Sequence, residues 1–440
     1  MDPTDAPPLE FTRRAALGAL AAGAVAATSR GAEEPAAATK GRPRIAAVVN
    51  CYWKTSHGQG IVDRLMDGYG WRGEHHRPAL DVVSLHVDQR PKGDLTDERL
   101  ARHPGLKLYP TIAEALTRGT GGLDVDGVVV IGEHGDYLVD DRGRTHYPRY
   151  EFFKQIVDVF RKTGKVVPVF NDKHLSWNWD WCREMVATAR EMNFPFLAGS
   201  SLPVTWRIPE FETPADAEIE EAVCVGYGGV DSYDFHGVES LQCFVERRRG
   251  GETGVRAVEA VRGDDVWRTL DPAAGGSPRT KALFDACLCR SFRLTSPREG
   301  YGNVFPTLAD AAKLVADPYL YRIHYNDGLV GSVYMLNGLV VDFTVALKLK
   351  DDPKVRSTQL YLCGISPNQT LPNFFSPLAR HIETMMTTGA APYPVERTLL
   401  TSGVVCKAVD LMAEKKRIVE TPDMATIAYK VAGESQYMRS

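Results

Sequence analysis

Short apolar runs alternate with segments of helical periodicity between residues 44 and 199, and this alternation constrains the fold more than any other feature of the chain. The runs at 44–49, 125–132 and 165–170 are almost continuously apolar, as expected for strands buried on both faces. The segment 149–164 instead spaces its apolar residues along one face of a helix, and Gly164 ends it. Repeated strand–helix units of this length predict a parallel sheet covered by helices on both faces.

The second half of the chain has a different pattern. β-Rich segments follow one another between residues 319 and 364, and Asn326-Asp327-Gly328 and Asn337-Gly338 are favourable turn sequences between them. We therefore predict an α/β fold in which a Rossmann-like parallel-sheet domain at 41–205 precedes an α+β domain at 206–440. The second domain should have a mostly antiparallel or mixed sheet and C-terminal helices. Two domains also suit a chain of 440 residues.

The first 40 residues have the character of a targeting segment and linker. Arg13 and Arg14 precede a weakly apolar stretch, rich in Ala and Gly, that runs from Ala15 to Ala27. This stretch is too short to form a stable membrane span. It resembles a twin-arginine export signal, so we expect a periplasmic or secreted protein. The alternative is a disordered, alanine-rich tail.

Charge and cysteine spacing exclude several classes of function. The net charge is −4, which argues against broad electrostatic binding of nucleic acid. No CxxC pair occurs, and Cys287 and Cys289 are too close together for a tetrahedral zinc site. We therefore look for functional residues other than the cysteines.

Unusually polar sequences follow three of the predicted strands. The run VVVIG is followed by Glu133-His134-Gly135-Asp136-Tyr137, and the strand at 165–170 by Asn171-Asp172-Lys173-His174. Gly199-Ser200-Ser201 follows a third strand and leads to Trp206 and Arg207. Ligands of open α/β sheets bind beyond the carboxyl ends of the strands. We expect a polar pocket there, and its candidate substrate contacts are Asp136, Asp172, Trp206 and Arg207.

Two further features lie beside this pocket. Glu133, His134, Asp136 and His174 are residue types that bind zinc or manganese. The first three share one tight turn and no helical His-x-x-x-His supports them, so no metal is expected. The segment 138–150 is predicted to form a hairpin at the mouth of the pocket, whose His146, Tyr147 and Arg149 are candidates to contact a hydroxyl-rich ligand.

Several strings, taken in order, resemble the Gfo/Idh/MocA oxidoreductases, the glucose–fructose oxidoreductase and inositol dehydrogenase group. They are LYPTIAEAL with VDGVVVIGEHGDY, then GKVVPVFNDKHLS, CREMVATAREMNFPFLAGSSLPVTWRIP, GGVDSYDFHGVESLQCF and YPVERTLLTSGVVCKAVD. The similarity extends over roughly residues 43 to 430. It implies hydride transfer between NAD or NADP and a sugar, polyol or related carbohydrate, in a homo-oligomer that associates through the second sheet.

The resemblance also implies roles for particular residues. Lys173 stands at the lysine of the family's Glu-Lys-Pro turn, and His236 follows the glycine-rich segment of the second domain. Both are implied as catalytic, with Asp231 or Asp234 orienting them, although the spacing from Asp231 to His236 departs from the family pattern. A lysine that acts as the base needs a lowered pKa.

The cofactor loop is the main departure from the family. Where members carry Gly-x-Gly-x-x-Gly, this chain reads NCYWKTSHGQGIVDRL, and the Glu-Lys-Pro turn becomes Asp172-Lys173-His174. Asp88, at the end of the second main strand, is placed to bind a ribose hydroxyl, which favours NAD. The candidate cofactor contacts are Ser56, His57, Gly58, Gly60, Asp88 and His134.

Two alternatives to the oxidoreductase remain open. The loop is also consistent with a degraded dinucleotide site, in a relative that binds a carbohydrate or a partner protein without hydride chemistry. A metal-dependent lyase, isomerase or hydrolase in the same crevice is the other alternative.

Overall fold

The alternating first half forms a parallel sheet, as predicted. The computed structural model describes residues 41–302, 304–362 and 373–439. The strands of this half are β1 Arg44–Val49, β2 Tyr69–Trp71, β3 Glu74–His76, β4 Asp81–Val87, β5 Lys107–Leu108, β6 Gly127–Ile131, β7 Val169–Asp172 and β8 Phe196–Gly199. Six of them pair in parallel in the order β5-β4-β1-β6-β7-β8, while β2 and β3 form a separate antiparallel pair.

Helices cover both faces of this sheet. Those of the first half are α1 His57–Asp67, α2 Thr96–Arg102, α3 Ile112–Thr117, α4 Arg149–Thr163 and α5 Trp179–Glu191. Alternate residues of β1 point to opposite faces: Ala46 and Val48 pack with α3, α4 and α5, whereas Ile45 and Val49 pack with α1. The helix predicted at 149–164 is confirmed as α4, and it ends at Gly164 in the left-handed conformation.

The second half forms a mixed eight-stranded sheet, also as predicted. Its strands are β9 Arg207–Ile208, β10 Ile219–Gly226, β11 Val255–Arg262, β12 Tyr319–Tyr325, β13 Val330–Met335, β14 Phe343–Leu349, β15 Val355–Leu360 and β16 Ile418–Glu420. The order is β16-β11-β12-β13-β10-β14-β15-β9, and the pairing is antiparallel except between β10 and β13. The Asn326-Asp327-Gly328 turn joins β12 to β13.

Six further helices pack around the two sheets. They are α6 Tyr233–Val245, α7 Asp264–Arg268, α8 Pro278–Arg290, α9 Leu308–Leu314, α10 Ser376–Thr388 and α11 Glu396–Ala413. Helix α10 packs beside α1 on the first sheet, although it follows the second sheet in the chain. Helix α11 contacts both α5 and α6. Its Thr398 hydroxyl donates to the Ala198 carbonyl at the end of β8 (2.7 Å), which ties α11 to the first sheet.

The two faces of the second sheet are both covered by the chain itself. One face packs against α6 and α11. The other packs against α7, α8 and α9 in a separate apolar cluster that includes Trp267, Phe284, Leu320 and Tyr334. The resemblance implied association through this sheet. Helices α7–α9 pack on the outer face of this sheet, and the homo-oligomer stays a prediction.

Residues 1–40, which hold the predicted export signal, lie outside the described residues. Among the helices of the described part, none is long and apolar enough to cross a membrane.

Replacing Phe284 tests whether α8 is an integral cover of the second sheet. Phe284 is 1% exposed and contacts the Tyr334 ring. We expect Phe284→Ala to lower the free energy of unfolding by ~3–5 kcal/mol, because it leaves a cavity under the helix. Chemical denaturation measures this loss. The matched control Phe292→Ala removes a ring that is 68% exposed, and it should change stability by less than ~0.5 kcal/mol. Equal effects would contradict this assignment.

Candidate active site

The polar residues predicted to line a pocket lie at the carboxyl ends of β6, β7 and β8. These strands are neighbours in a parallel sheet, so the residues that follow them meet at one edge. Glu133 follows β6, Lys173 follows β7, and Ser200 follows β8. The start of α6, from the second half of the chain, closes this edge and brings His236 to it. We call these side chains and their direct partners the central group.

A buried ion triad is the core of the central group. Lys173 Nζ lies 2.8 Å from Glu133 Oε1, and Arg149 Nη2 lies 2.6 Å from Glu133 Oε2. All three side chains are buried. Gly132 permits this packing, since a Cβ there would lie 2.5 Å from Arg149 Cγ.

The triad corrects the expected state of Lys173. Burial alone would raise the pKa of Glu133, but Lys173 and Arg149 hold that pKa well below its usual range. Burial likewise opposes the charge on Lys173, but the Glu133 carboxylate raises the pKa of the amine overall. Lys173 therefore stays protonated and serves as a cation and hydrogen-bond donor, whereas a lysine base would need a lowered pKa.

A histidine–aspartate pair lies beside the triad. His57 is the first residue of α1, and its Nδ1 is 2.7 Å from Asp172 Oδ2. The Asp172 side chain is fully buried, whereas the His57 side chain is 16% exposed. The His57 ring also packs edge-on against His134 (5.3 Å between ring centroids) and Phe375 (5.1 Å). Burial, assisted by His57, lowers the pKa of His134 to about 4, so His134 is neutral.

His236 enters the central group from α6. Its Nδ1 lies 3.0 Å from Ser200 Oγ, and the Ser200 hydroxyl donates to Glu239 Oε2 at 2.6 Å. Burial holds the pKa of His236 well below its usual value and raises that of Glu239 to about 7. The Tyr233 ring covers Lys173 Nζ at 5.5 Å and contacts the His236 ring at 5.4 Å. Tyr233 is 36% exposed, so it forms the outer wall of the site.

The two candidate aspartates have different positions. Asp234 accepts hydrogen bonds from the backbone N–H groups of Asp231, Ser232 and Phe235 and from the Tyr321 hydroxyl. Asp234 therefore stabilises the start of α6 and does not orient His236, which corrects the sequence-based role.

Asp231 approaches the central group through His174. Its Oδ1 lies 3.7 Å from His174 Nε2, and that nitrogen lies 3.1 Å from Arg149 Nη1. Among the described residues, neither side-chain oxygen of Asp231 has a hydrogen-bond partner. Burial, followed by the charge of Asp234, raises the pKa of Asp231 to about 8.

Three of the predicted substrate contacts lie apart from the central group. Arg207 is buried between the rings of Phe244 and Tyr437, 4.0 Å from each, and donates to the Phe211 carbonyl. Trp206 packs on Tyr361, and Asp136 is exposed. Arg207 is therefore a packing residue, which corrects its assignment. The fourth contact, Asp172, belongs to the pair with His57.

The predicted cofactor residues surround the start of α1. Ser56 caps the helix by accepting from Gln59 N. Gly58 allows close packing, since a Cβ there would lie 2.6 Å from the Cys51 carbonyl oxygen, and Gly60 is buried within the helix. Asp88 lies at the end of β4 and accepts a hydrogen bond from the Tyr137 hydroxyl (2.6 Å).

The Glu133–Tyr137 turn closes the space between β1 and β4. Asn50 Nδ2 donates to the His134 carbonyl at 2.6 Å. Gln89 bonds both backbone groups of Asp136: it donates to the carbonyl (3.0 Å) and accepts from the N–H (2.8 Å). The bond from Tyr137 to Asp88 is the fourth. Trp53 packs edge-on against His134 from the α1 side, so side chains fill the groove beside the α1 N-terminus.

Several buried polar atoms at this edge lack a hydrogen-bond partner among the described residues. They are Asn50 Oδ1, His134 Nδ1, Asn171 Oδ1, Asp172 Oδ1, His174 Nδ1 and both oxygens of Asp231. Buried polar groups without partners are costly, so this set suits a ligand that carries several hydroxyl or other polar groups.

The sequence underestimated two residues of the central group. Arg149 was predicted only as a candidate ligand contact at the mouth of the pocket, whereas it is completely buried at the start of α4 and pairs with Glu133. A basic residue in the first turn of a helix is unfavourable, and that signal pointed to a special role. Glu239 is a carboxylate within the otherwise buried α6, which is a signal of the same kind.

No group of three or more His, Cys, Asp or Glu side chains within the described residues is arranged to hold a metal ion.

Comparison with known proteins confirms the fold. No protein-family model and no curated protein matches the chain. GenD2 from gentamicin A biosynthesis, solved in complex with NAD, matches over 89% of this chain and 99% of its own, with a TM-score of 0.54 and 14% identity. Myo-inositol dehydrogenase from Lactobacillus casei, solved with NAD(H) and myo-inositol, covers 86% and 97%, with a TM-score of 0.48 and 10% identity. The match to GenD2 shows that the chain shares the fold of this NAD-bound protein, in agreement with the fold that the Gfo/Idh/MocA resemblance implied.

Replacing Glu133 tests the ion triad. In Glu133→Gln the charges of Lys173 and Arg149 stay buried without their carboxylate. We therefore expect the free energy of unfolding to fall by ~3–5 kcal/mol. Denaturant titration provides the measurement. The control Glu184→Gln removes a carboxylate from an ion pair with Lys154 that is about 40% exposed, and it should cost less than ~1 kcal/mol. A small effect of Glu133→Gln would show that the triad is not a structural constraint.

Asp231 predicts a pH dependence of stability. Its raised pKa means that the folded protein holds this proton more tightly than the unfolded chain does. The resulting stability is complete below about pH 4 and is lost as the pH rises to about 8. Asp231→Asn cannot ionise, so its melting temperature should exceed that of the wild type near pH 8, and the difference should shrink towards pH 4. Asp136→Asn, at an exposed site, should show no such trend. A pH-independent difference would refute the assignment.

Proposed function

We propose that this chain is an NAD(P)-dependent oxidoreductase that acts on a hydroxyl group of a sugar, a polyol or a related carbohydrate. The observation that carries the proposal is the buried Lys173–Glu133 pair, with His236 beside it, at the carboxyl edge of a dehydrogenase-type sheet. Ligands of this architecture bind at that edge. The set of buried polar atoms without partners supports a substrate with several hydroxyl groups.

The chain retains part of a dinucleotide site. The N-terminus of α1 points to the same edge, Gly58 provides close backbone packing, and Asp88 stands where a ribose hydroxyl is bound in this architecture. The Glu133–Tyr137 turn crosses the groove between them. The residues therefore fit a nucleotide when this turn moves away, and Ser56, Gly58 and Asp88 would then hold it. When bound, the nucleotide supplies the hydride donor or acceptor.

The central group can carry out the accompanying proton chemistry. An ammonium has three donors, and Glu133 takes one from Lys173, so Lys173 can donate to the substrate oxygen and polarise it. Tyr233 excludes water from the amine. A proton acceptor is also required, and an imidazole at this edge is the kind of group that can take that role.

A second candidate is a relative that binds a carbohydrate or a partner protein without hydride chemistry. The closed Glu133–Tyr137 turn is the observation that favours it, because four hydrogen bonds hold the turn across the groove. The predicted export signal suits either function, and we propose that the protein acts outside the cytoplasm.

Nucleotide binding separates the two candidates. We expect NAD or NADP to be released when the purified protein is denatured, or to bind in calorimetric titration. Tyr137→Phe removes one hydrogen bond of the turn and should raise nucleotide affinity about fivefold, since one hydrogen bond contributes ~1 kcal/mol. Gln89→Ala removes two and should raise it by up to about 30-fold. The matched control Tyr150→Phe removes a hydroxyl that bonds Glu184 away from the turn, and it should leave affinity unchanged.

Two results would decide between the candidates, and a third would test the control. If the wild type binds nucleotide and the two variants bind it no more tightly, the oxidoreductase is supported, but the turn is not a barrier to binding. Absence of binding in every variant would sink the oxidoreductase and leave the second candidate. Binding that Tyr150→Phe also strengthens would show that the effect is not specific to the turn.

A further inference from the structure

Two departures from the family pattern lie in direct contact. His57 belongs to the segment that replaces the glycine fingerprint, and Asp172 replaces the glutamate of the Glu-Lys-Pro turn. The two residues are 115 positions apart in sequence, yet His57 Nδ1 is 2.7 Å from Asp172 Oδ2. The two departures therefore meet in one side-chain contact.

We propose that His57 and Asp172 form an acid–base dyad that exchanges a proton with the substrate hydroxyl. In this arrangement His57 Nδ1–H donates to the carboxylate, which leaves the lone pair of Nε2 free. Asp172 fixes the ring and stabilises the imidazolium that forms when Nε2 takes a proton. The proposal rests on the proposed function for the identity of the reaction.

The two side chains of the dyad differ in their exposure to solvent. The Asp172 side chain is fully buried and its Oδ1 has no partner among the described residues. The His57 side chain keeps 16% of its surface exposed. His134 and Phe375 hold the ring edge-on. The carboxylate is thus protected from water, while part of the imidazole surface stays exposed at the carboxyl edge.

The other basic groups of the site are less suited to accept the proton. Lys173 is held protonated by Glu133. His236 is neutral, but its Nδ1 faces the hydroxyl of Ser200, so no carboxylate lies directly against an imidazolium at that position. His57 has a buried carboxylate in direct contact.

The proton step balances with the hydride step. The substrate O–H bond breaks and an N–H bond forms at His57 Nε2, while the C–H bond breaks and its electron pair leaves as hydride, so that a carbonyl group forms. The oxidant is the oxidised nicotinamide nucleotide of the proposed function. Reduction of a carbonyl follows the reverse course, with the imidazolium as the acid.

Chemical modification tests the dyad without any turnover. Diethyl pyrocarbonate acylates unprotonated imidazole nitrogens, and peptide mass spectrometry gives a rate for each histidine of the full chain. We expect His57 to react at least as fast as the more exposed His75. Asp172→Asn should slow His57 about fivefold or more, because the loss of one charged hydrogen bond releases the ring and its tautomer. Asp172→Glu retains the carboxylate and should restore the rate to within about twofold.

Kinetics then test the catalytic role. In a panel of polyols and sugars with NAD or NADP, His57→Gln should lower kcat about 100-fold or more. The dissociation constant of the nucleotide, measured by calorimetry, should change by less than about threefold, which is under ~0.7 kcal/mol.

The dyad and the proposed function can fail separately. A His57 rate that is slow and indifferent to both Asp172 variants, or an unchanged kcat in His57→Gln, would overturn the dyad while nucleotide binding still supports the oxidoreductase. A reactive His57 in a protein that binds no nucleotide would retain the acid–base pair and remove the hydride reaction. A large loss of nucleotide affinity in His57→Gln would also overturn the proposal, because it would make His57 a cofactor contact.

Discussion

The site depends on burying two cations against one carboxylate. Lys173 and Arg149 come from different elements, the end of β7 and the start of α4, and both are fixed by Glu133 after β6. Charges this deeply buried are tolerated only when they are paired and hydrogen-bonded. The pairing therefore determines the course of the chain after β6, the entry of α4 and the conformation of Lys173, whose φ of 58° is unusual for a residue with a side chain.

The same triad changes what the lysine can do. A lysine in an apolar pocket loses its proton easily and can act as a base, whereas a lysine against a carboxylate keeps it. Because Glu133 is ionised between two cations, the proton of Lys173 is not available at neutral pH. In the proposed reaction, proton transfer therefore passes to a group with its own counter-charge, and we assign this role to the His57–Asp172 pair at the carboxyl edge. The change of chemistry follows from the placement of one carboxylate.

Local patterns predicted the fold well but predicted contacts between distant segments poorly. The period of α4 and the apolar runs of the sheet are properties of single segments, and both are confirmed. The carboxyl edge was also predictable, because parallel strands put their ends together. By contrast, the burial of Arg149 depends on its ion pair with Glu133, and the position of Asp231 depends on its contact with His174. Both are contacts between distant segments. The cover of the second sheet by α7–α9 likewise could not be read from periodicity, since an amphipathic helix does not specify which sheet it packs on.

The closed turn and the dyad are mechanically linked. His134 belongs to the Glu133–Tyr137 turn, and its ring packs directly on His57. A movement that takes the turn away from Asn50 and Gln89 also carries the His134 ring away from His57. Because Glu133 is the first residue of the same turn and is held by the ion triad, the movement has to hinge after Glu133, where Gly135 has a φ of 106° and supplies backbone freedom. Opening the groove would therefore also remove the His134 ring from its contact with His57, while the Lys173–Glu133 pair stays in place.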